Sequence, residues 1–229
     1  MNINRYKKEN IYSQLKLAIV TQQLRAGQVI TEEEISRQYS ISRTPVREIF
    51  RRLENDGLVK NIPFRGTYIS DLKNEDIEEI LEIRFALESF AARIAAEKAD
   101  DEIKNQLSEL EKQFELAVKT QDNTLAFDTD TKLHELILNI SGNKRIQTII
   151  TNLLGQIHRI RFISCHMEGR IETTVKEHLE IIKTIKENDP DRAEEKMKIH
   201  INNTKIILLK SSKIEEEFTS FLYKYGINE

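Results

Sequence analysis

Four side chains of metal-ligand type fall on the apolar stripes of three separate segments. Asp130 and His134 stand four residues apart, beside Leu133 and Ile137. His178 lies on the line Val175, Leu179 and Ile182, and His200 on the line Met197, Ile201 and Thr204. One carboxylate and three imidazoles can supply most of the coordination of a divalent ion, and helix-bundle cores are where such sites are built. The i,i+4 pair would place two donors on one side of that ion. A single inward histidine is more often a hydrogen-bonded core residue, but burying four unpaired polar groups would be costly. Imidazole-rich ligation selects one zinc per chain, with nickel or manganese as alternatives.

Two arginines could join this site. Arg84 lies on the stripe Ile77, Ile80, Leu81, Leu87, Ala91 and Ile94, where a charge is expensive without an anionic partner. Its guanidinium fork could clamp a small carboxylate effector. Glu88, one turn on, offers an internal salt bridge instead. Arg161 borders the stripe Ile150, Leu153, Ile157 and Ile160 and is a second effector candidate. His158, Cys165 and His166 match no such pattern.

A second chemistry lies near the N-terminus. Arg43, Thr44 and Arg47 occupy the exposed leading end of a segment whose other face carries Val46, Ile49, Phe50 and Leu53. Ser42 is placed to cap it, Pro45 sits in its first turn, and Gly57 ends it. A preceding short helix with Ile35 and Tyr39 is broken by Ser40-Ile41-Ser42. Leu58–Ile62 and Gly66–Ser70 read as two strands around a turn. This is a winged helix-turn-helix, whose second helix enters the DNA major groove by its first turn. Arginine there can donate two bonds to guanine, while Arg51 and Arg65, further along and on the hairpin, would meet phosphates. The alternative is a solvated basic face.

The elements that must position these groups follow from periodicity. A first helix at 9–24 packs beneath the reading helix. After a boundary near 71–74 the chain reads as helix throughout: 74–98, 102–120, 123–140, 143–164, 171–187 and 190–212, with a short tail helix near 214–224. The expected fold is mainly α, with a winged helix-turn-helix of three helices and a small β-hairpin at residues 1–72. An antiparallel all-α bundle of six to seven helices follows at 73–229, as the effector-binding and dimerisation domain.

Composition agrees with that division. The chain is 39% hydrophobic and 32% charged, with seven Gly and three Pro, too few for a many-turned β fold. Residues 1–70 hold 12 Lys and Arg against 7 Asp and Glu, a net of +5, which leaves −8 of the total −3 for the remainder. A basic head suits phosphate and an acidic body does not. No apolar run approaches the roughly 20 residues of a membrane span. The N-terminal residues lack a signal core, and the single Cys165 fits a reducing compartment. The expectation is a cytoplasmic protein with no membrane partner.

The stretch Ile41-Ser42-Arg43-Thr44-Pro45-Val46-Arg47-Glu48, with Leu53-Glu54-Asn55-Asp56-Gly57-Leu58 and the glycine-tipped wing at Gly66, resembles the N-terminal domain of GntR-type bacterial regulators. DTDTKLHELILNISGN, KEHLEIIKTI and MKIHI resemble the ligand-binding (FCD) domain of the FadR subgroup. The resemblance implies that Arg43 and Arg47 contact an operator and that Gly66 lets the wing approach the DNA backbone. It implies that Asp130, His134, His178 and His200 hold a divalent ion beside an effector anion, with an arginine at the position of Arg84. Glu33 stands where some members carry a DNA-contacting arginine, so that contact is not carried over. The expected function is a homodimeric transcription factor, a repressor, that reads a near-palindromic operator and is controlled by a small carboxylate. The competing readings are a metal-dependent enzyme fused to a DNA-binding module and a regulator that senses the metal itself. No carboxylate is placed as a general base, and the expectation is no enzyme.

Overall fold

A computed structural model describes residues 3–63 and 65–210. Among them are ten helices and three short strands, which divide into two compact units. The expected tail helix at 214–224 lies outside the described residues, as does Phe64 in the wing turn.

The first unit takes residues 3–73 together with Thr151–Arg159. Helix α1 (Ile3–Val20) starts earlier than the expected residue 9 and also ends earlier, where Gln22 adopts a left-handed φ of 57° and turns the chain. It buries Ile11, Tyr12, Leu15 and Ile19. Strand β1 (Val29–Ile30), too short to show a period of two, was not expected. Helix α2 (Glu32–Tyr39) opens with a capping box: the Thr31 hydroxyl accepts from the Glu34 amide at 3.2 Å, and the Glu34 carboxylate accepts from the Thr31 amide at 3.0 Å. Ser40, at φ 49°, makes the turn.

Helix α3 (Arg43–Asn55) buries Val46, Ile49, Phe50 and Leu53 as its pattern requires. Ser42 holds the N-cap position, yet its side chain makes no capping hydrogen bond, which corrects the expected role. Gly57, at φ 71°, leads into β2 (Val59–Ile62), which pairs antiparallel with β3 (Gly66–Ile69). β3 is central, with β1 on its other side through Val29↔Tyr68 and Ile30↔Thr67. At the wing, Gly66 has φ 106°, a conformation that side chains other than hydrogen rarely adopt.

The second unit takes Asn74–Ile150 and residues 160–210. It contains α4 (Asn74–Lys98), α5 (Asp101–Thr120), α6 (Asn123–Ser141), α7 (Lys144–Asn152), the later part of α8 (Leu154–His166), α9 (Arg170–Lys186) and α10 (Pro190–Lys210). Asp100 and Asp122 cap α5 and α6 through their carboxylates. Ala91, Ala92, Ala95 and Ala96 give α4 a shallow, fully buried side, and α10 packs along this helix. The single helix expected at 143–164 is two, broken at Leu153. The residues after the break belong to the first unit. There a Cβ on Gly155 would lie 2.4 Å from the Asp56 carbonyl oxygen, and Arg159 donates to the Ser70 carbonyl at 2.8 Å.

Candidate metal centre and nucleic-acid interface

Helix α6 presents Asp130 and His134 one turn apart, α9 presents His178, and α10 presents His200. All four are buried, and one ligand atom from each lies within 4.8 Å of the others. The three imidazole centroids are 4.4 to 5.5 Å apart. Asp130 Oδ1 is 2.9 Å from His178 Nε2 and 3.6 Å from His134 Nε2. The first distance is that of a hydrogen bond, but the angles are not. Asp130 Oδ2, His134 Nε2 and both ring nitrogens of His178 are buried without any hydrogen-bond partner. Native interiors rarely leave such atoms unsatisfied. Several converging on one point fit a cation.

Their protonation also fits. Burial lowers His178, and it pushes His200, beside His178, down to about 3. Burial alone would raise Asp130, but Arg161 and His134 reverse this and hold it well below the carboxylate range. For His178, His200 and Asp130 these are the forms a metal requires, neutral imidazole and ionised carboxylate.

The two sequence-predicted arginines are both buried here, in different circumstances. Arg84 on α4 gives its fork to Glu88, with Nε to Oε1 at 2.7 Å and Nη2 to Oε2 at 3.3 Å. Of the two partners left open for Arg84, the internal salt bridge is formed. Arg161 on α8 lies 3.2 Å from Asp130 Oδ2 and 3.6 Å from Glu88 Oε2, and its Nε has no hydrogen bond. Burial and the neighbouring Arg84 charge both lower it. Burial would likewise raise Glu88, but Arg84, His134 and Arg161 hold it well below the ordinary range.

Two further carboxylates touch the site. Glu88 Oε2 lies 2.5 Å from His134 Nδ1, and Glu177 Oε2 lies 2.9 Å from His200 Nδ1. The second is invisible to helical periodicity, because Glu177 and His200 sit on different helices. Only its position beside His178 could have drawn notice. His178 has no such partner and stacks on Phe114 at 4.9 Å. His166 binds the Phe162 carbonyl at 2.8 Å, and Cys165 is buried and free.

In the first unit, Arg43, Thr44, Arg47, Arg51 and Arg65 are exposed. The acidic start of α2 faces the start of α3: Arg47 Nε donates to both Glu32 oxygens at 2.8 and 2.9 Å, and Arg43 Nη2 to Glu33 at 3.3 Å. Glu33 also accepts from Arg37 at 3.2 Å. The contact between Glu32 and Arg47 was not anticipated, since fifteen residues separate the pair.

Comparison with known proteins places both units. Residues 7–69 match the family described as bacterial regulatory proteins, gntR family, and residues 79–203 match the FCD domain. The HTH-type transcriptional regulator YdhC of Bacillus subtilis is 32% identical over 196 residues, covering 84% of this chain and 86% of that one. The HTH-type transcriptional repressor RspR of Escherichia coli is 28% identical over 193 residues, covering 84% and 85%. The solved structure of E. coli McbR/YncC superposes with a TM-score of 0.76 at 17% identity, over 89% of this chain and 97% of that one, a likeness of fold. Among the described residues no helix is long and apolar enough to cross a membrane.

Proposed function

This chain is a DNA-binding transcriptional regulator that belongs to the GntR family and carries an FCD domain, and from that premise we propose that it is a homodimeric, metal-dependent, carboxylate-responsive repressor. Two symmetric heads would read the half-sites of a near-palindromic operator, as expected for paired helix-turn-helix modules. Arg43 and Arg47 would read base edges, with Thr44, Arg51, Arg65 and the Gly66 wing on the backbone. The name of RspR as a repressor supports the sign of regulation. Its place of work would be the cytoplasm, with the bacterial DNA.

Asp130, His134, His178 and His200 would hold one divalent ion, zinc before nickel or manganese. When bound, the ion supplies positive charge and open coordination positions to an anion. The observation that carries the effector reading is Arg161, a buried cation with an unsatisfied Nε beside the ligand set. Arg84 and Arg161 are balanced by Glu88 and Asp130, so a divalent cation would leave this interior in excess of positive charge. A small carboxylate answers that excess. Arg161 would meet it directly, and Arg84, whose fork is filled by Glu88, would act from behind.

An effector controls operator affinity only if it binds the DNA-competent and DNA-incompetent states differently. The test is operator binding followed by fluorescence anisotropy, with the full chain freed of metal, loaded with zinc, and loaded with zinc plus a panel of mono-, di- and tricarboxylates. Weaker binding with zinc and one acid, but not zinc alone, is expected. A response to zinc alone would favour the second reading, a regulator of metal itself, which the filled Arg84 fork supports. Turnover of the acid would turn the argument toward an enzyme.

A further inference from the structure

Two parallel relays run into the ligand set. In one, Arg84 grips Glu88 through two hydrogen bonds and Glu88 accepts from His134 Nδ1. In the other, Arg170 grips Glu177, with Nη1 to Oε1 at 3.2 Å and Nη2 to Oε2 at 3.3 Å, and Glu177 accepts from His200 Nδ1 at 2.9 Å. Asn203 adds a bond from Nδ2 to Glu177 Oε1 at 3.0 Å. The relays come from different helices: α4 to α6 in the first, α9 to α10 in the second. Both arginines are buried, so neither carboxylate is an incidental surface partner.

We infer that Glu88 and Glu177 are positioning residues for the metal: each holds its histidine as the Nδ1–H form and fixes the ring so that Nε2 is the donor. A neutral imidazole carries one N–H, and committing it to a carboxylate decides which nitrogen keeps a lone pair. His134 fits this directly, since its Nε2 is left buried and unpartnered while its Nδ1 is bonded. The inward-pointing carboxylate also makes the imidazole a stronger donor. Arg84 and Arg170 have a role in this scheme that needs no effector. They hold two carboxylates in place and aimed inside a protein interior. His178 lies outside it, since its ring is held by stacking on Phe114 and neither nitrogen is committed. The inference rests on the metal reading of the site and adds the groups that orient it.

The experiment titrates zinc into the full chain against a chromophoric chelator, for wild type, Glu177→Gln and Glu177→Met. Met removes the acceptor and should weaken zinc about 10–100-fold, the usual effect of losing a partner to a ligating histidine. Gln keeps an oxygen acceptor and should recover most of that loss. Nitrogen-15 histidine spectra of the metal-free chain give a second readout: His134 and His200 should be protonated at Nδ1, and Glu177→Met should disturb His200 alone. A general loosening of the fold would not be repaired by Gln or confined to one ring. Should Glu177→Met fail to fold, Arg170→Met/Glu177→Gln against Arg170→Met/Glu177→Met makes the same comparison without a stranded arginine. Zinc affinity unchanged in the Met variants, or His200 protonated at Nε2 in wild type, overturns the inference while leaving the metal site standing. A wild type that takes up no zinc removes the metal reading itself, and this inference with it.

Discussion

Replacing Arg84 by Met should cost the fold, not merely a ligand response. Arg84 and Glu88 are each 1% exposed and share two hydrogen bonds at 2.7 and 3.3 Å. Without the guanidinium, Glu88 keeps His134 Nδ1 at 2.5 Å, while Arg161 at 3.6 Å is too far for a hydrogen bond. Breaking one partner of a buried pair costs about 3–5 kcal/mol, and the surviving His134 contact places this case near the lower figure. With a urea slope of about 2 kcal/mol per molar, the unfolding midpoint of the helical domain should fall by about 1.5 M. The assay is urea unfolding of the full chain in excess chelator, followed by helical circular dichroism, without any carboxylate. Because the chain has two units, the transition is compared between variants and not assumed two-state. Arg84→Met/Glu88→Gln removes both charges and leaves an oxygen for His134, so it should recover most of the loss. If Arg84→Met unfolds within about 0.3 M of wild type and only the carboxylate response disappears, Arg84 is an effector clamp and the structural reasoning is wrong.

Three further outcomes are expected. Arg43→Ala or Arg47→Ala should cost about 1–3 kcal/mol on a specific operator and much less on random DNA, measured by competition binding; equal losses would reduce both to phosphate contacts. The metal-free chain should lose stability as pH falls below about 6.5. His200 is held near 3 in the fold, so the unfolded chain binds a proton that the folded chain refuses, and each such proton costs about 1.4 kcal/mol per pH unit. Glu177, held at about 2, adds a second loss below about 4.5, and His200→Ala should reduce the fall of the unfolding midpoint between pH 6 and 4 while leaving the part owed to His178. Gly155→Ala would drive a methyl to 2.4 Å from the Asp56 carbonyl and 2.6 Å from Leu58 Cγ, so about 1–3 kcal/mol of destabilisation is expected in thermal melts. An unchanged melting temperature would mean that the helix start shifts at no cost.

Helices with strong stripes and marked ends were legible from the sequence. Residues 74–98 are helical as the pattern requires, and α5 and α6 differ by one residue at one end. The break at Leu153 is hidden because the apolar stripe runs through it, and Gly155, two residues on, is only a weak local mark. The close packing of Gly155 against Asp56 and Leu58, about a hundred positions away, is not visible in any local pattern. The four-ligand cluster was legible because each member sits on its own helix's apolar line. The relays behind it were only half so. Glu88 shows as an i+4 partner of Arg84, but its bond to His134 and the Glu177–His200 bond exist only once helices are packed.

The acidic opening of α2 has a thermodynamic consequence for association. An arginine that leaves Glu32 or Glu33 for the major groove lowers the charge density of the duplex and releases condensed cations, yet uncovers a carboxylate that draws cations back. For Arg43 and Arg47 the two exchanges oppose each other. The dependence of operator affinity on ionic strength should therefore be shallower than the roughly 0.9 per phosphate contact expected for uncommitted cations. Such a head would lose less of its grip as ionic strength rises, at the cost of a weaker grip in dilute buffer. The carboxylates would act as an ionic buffer on the reading face.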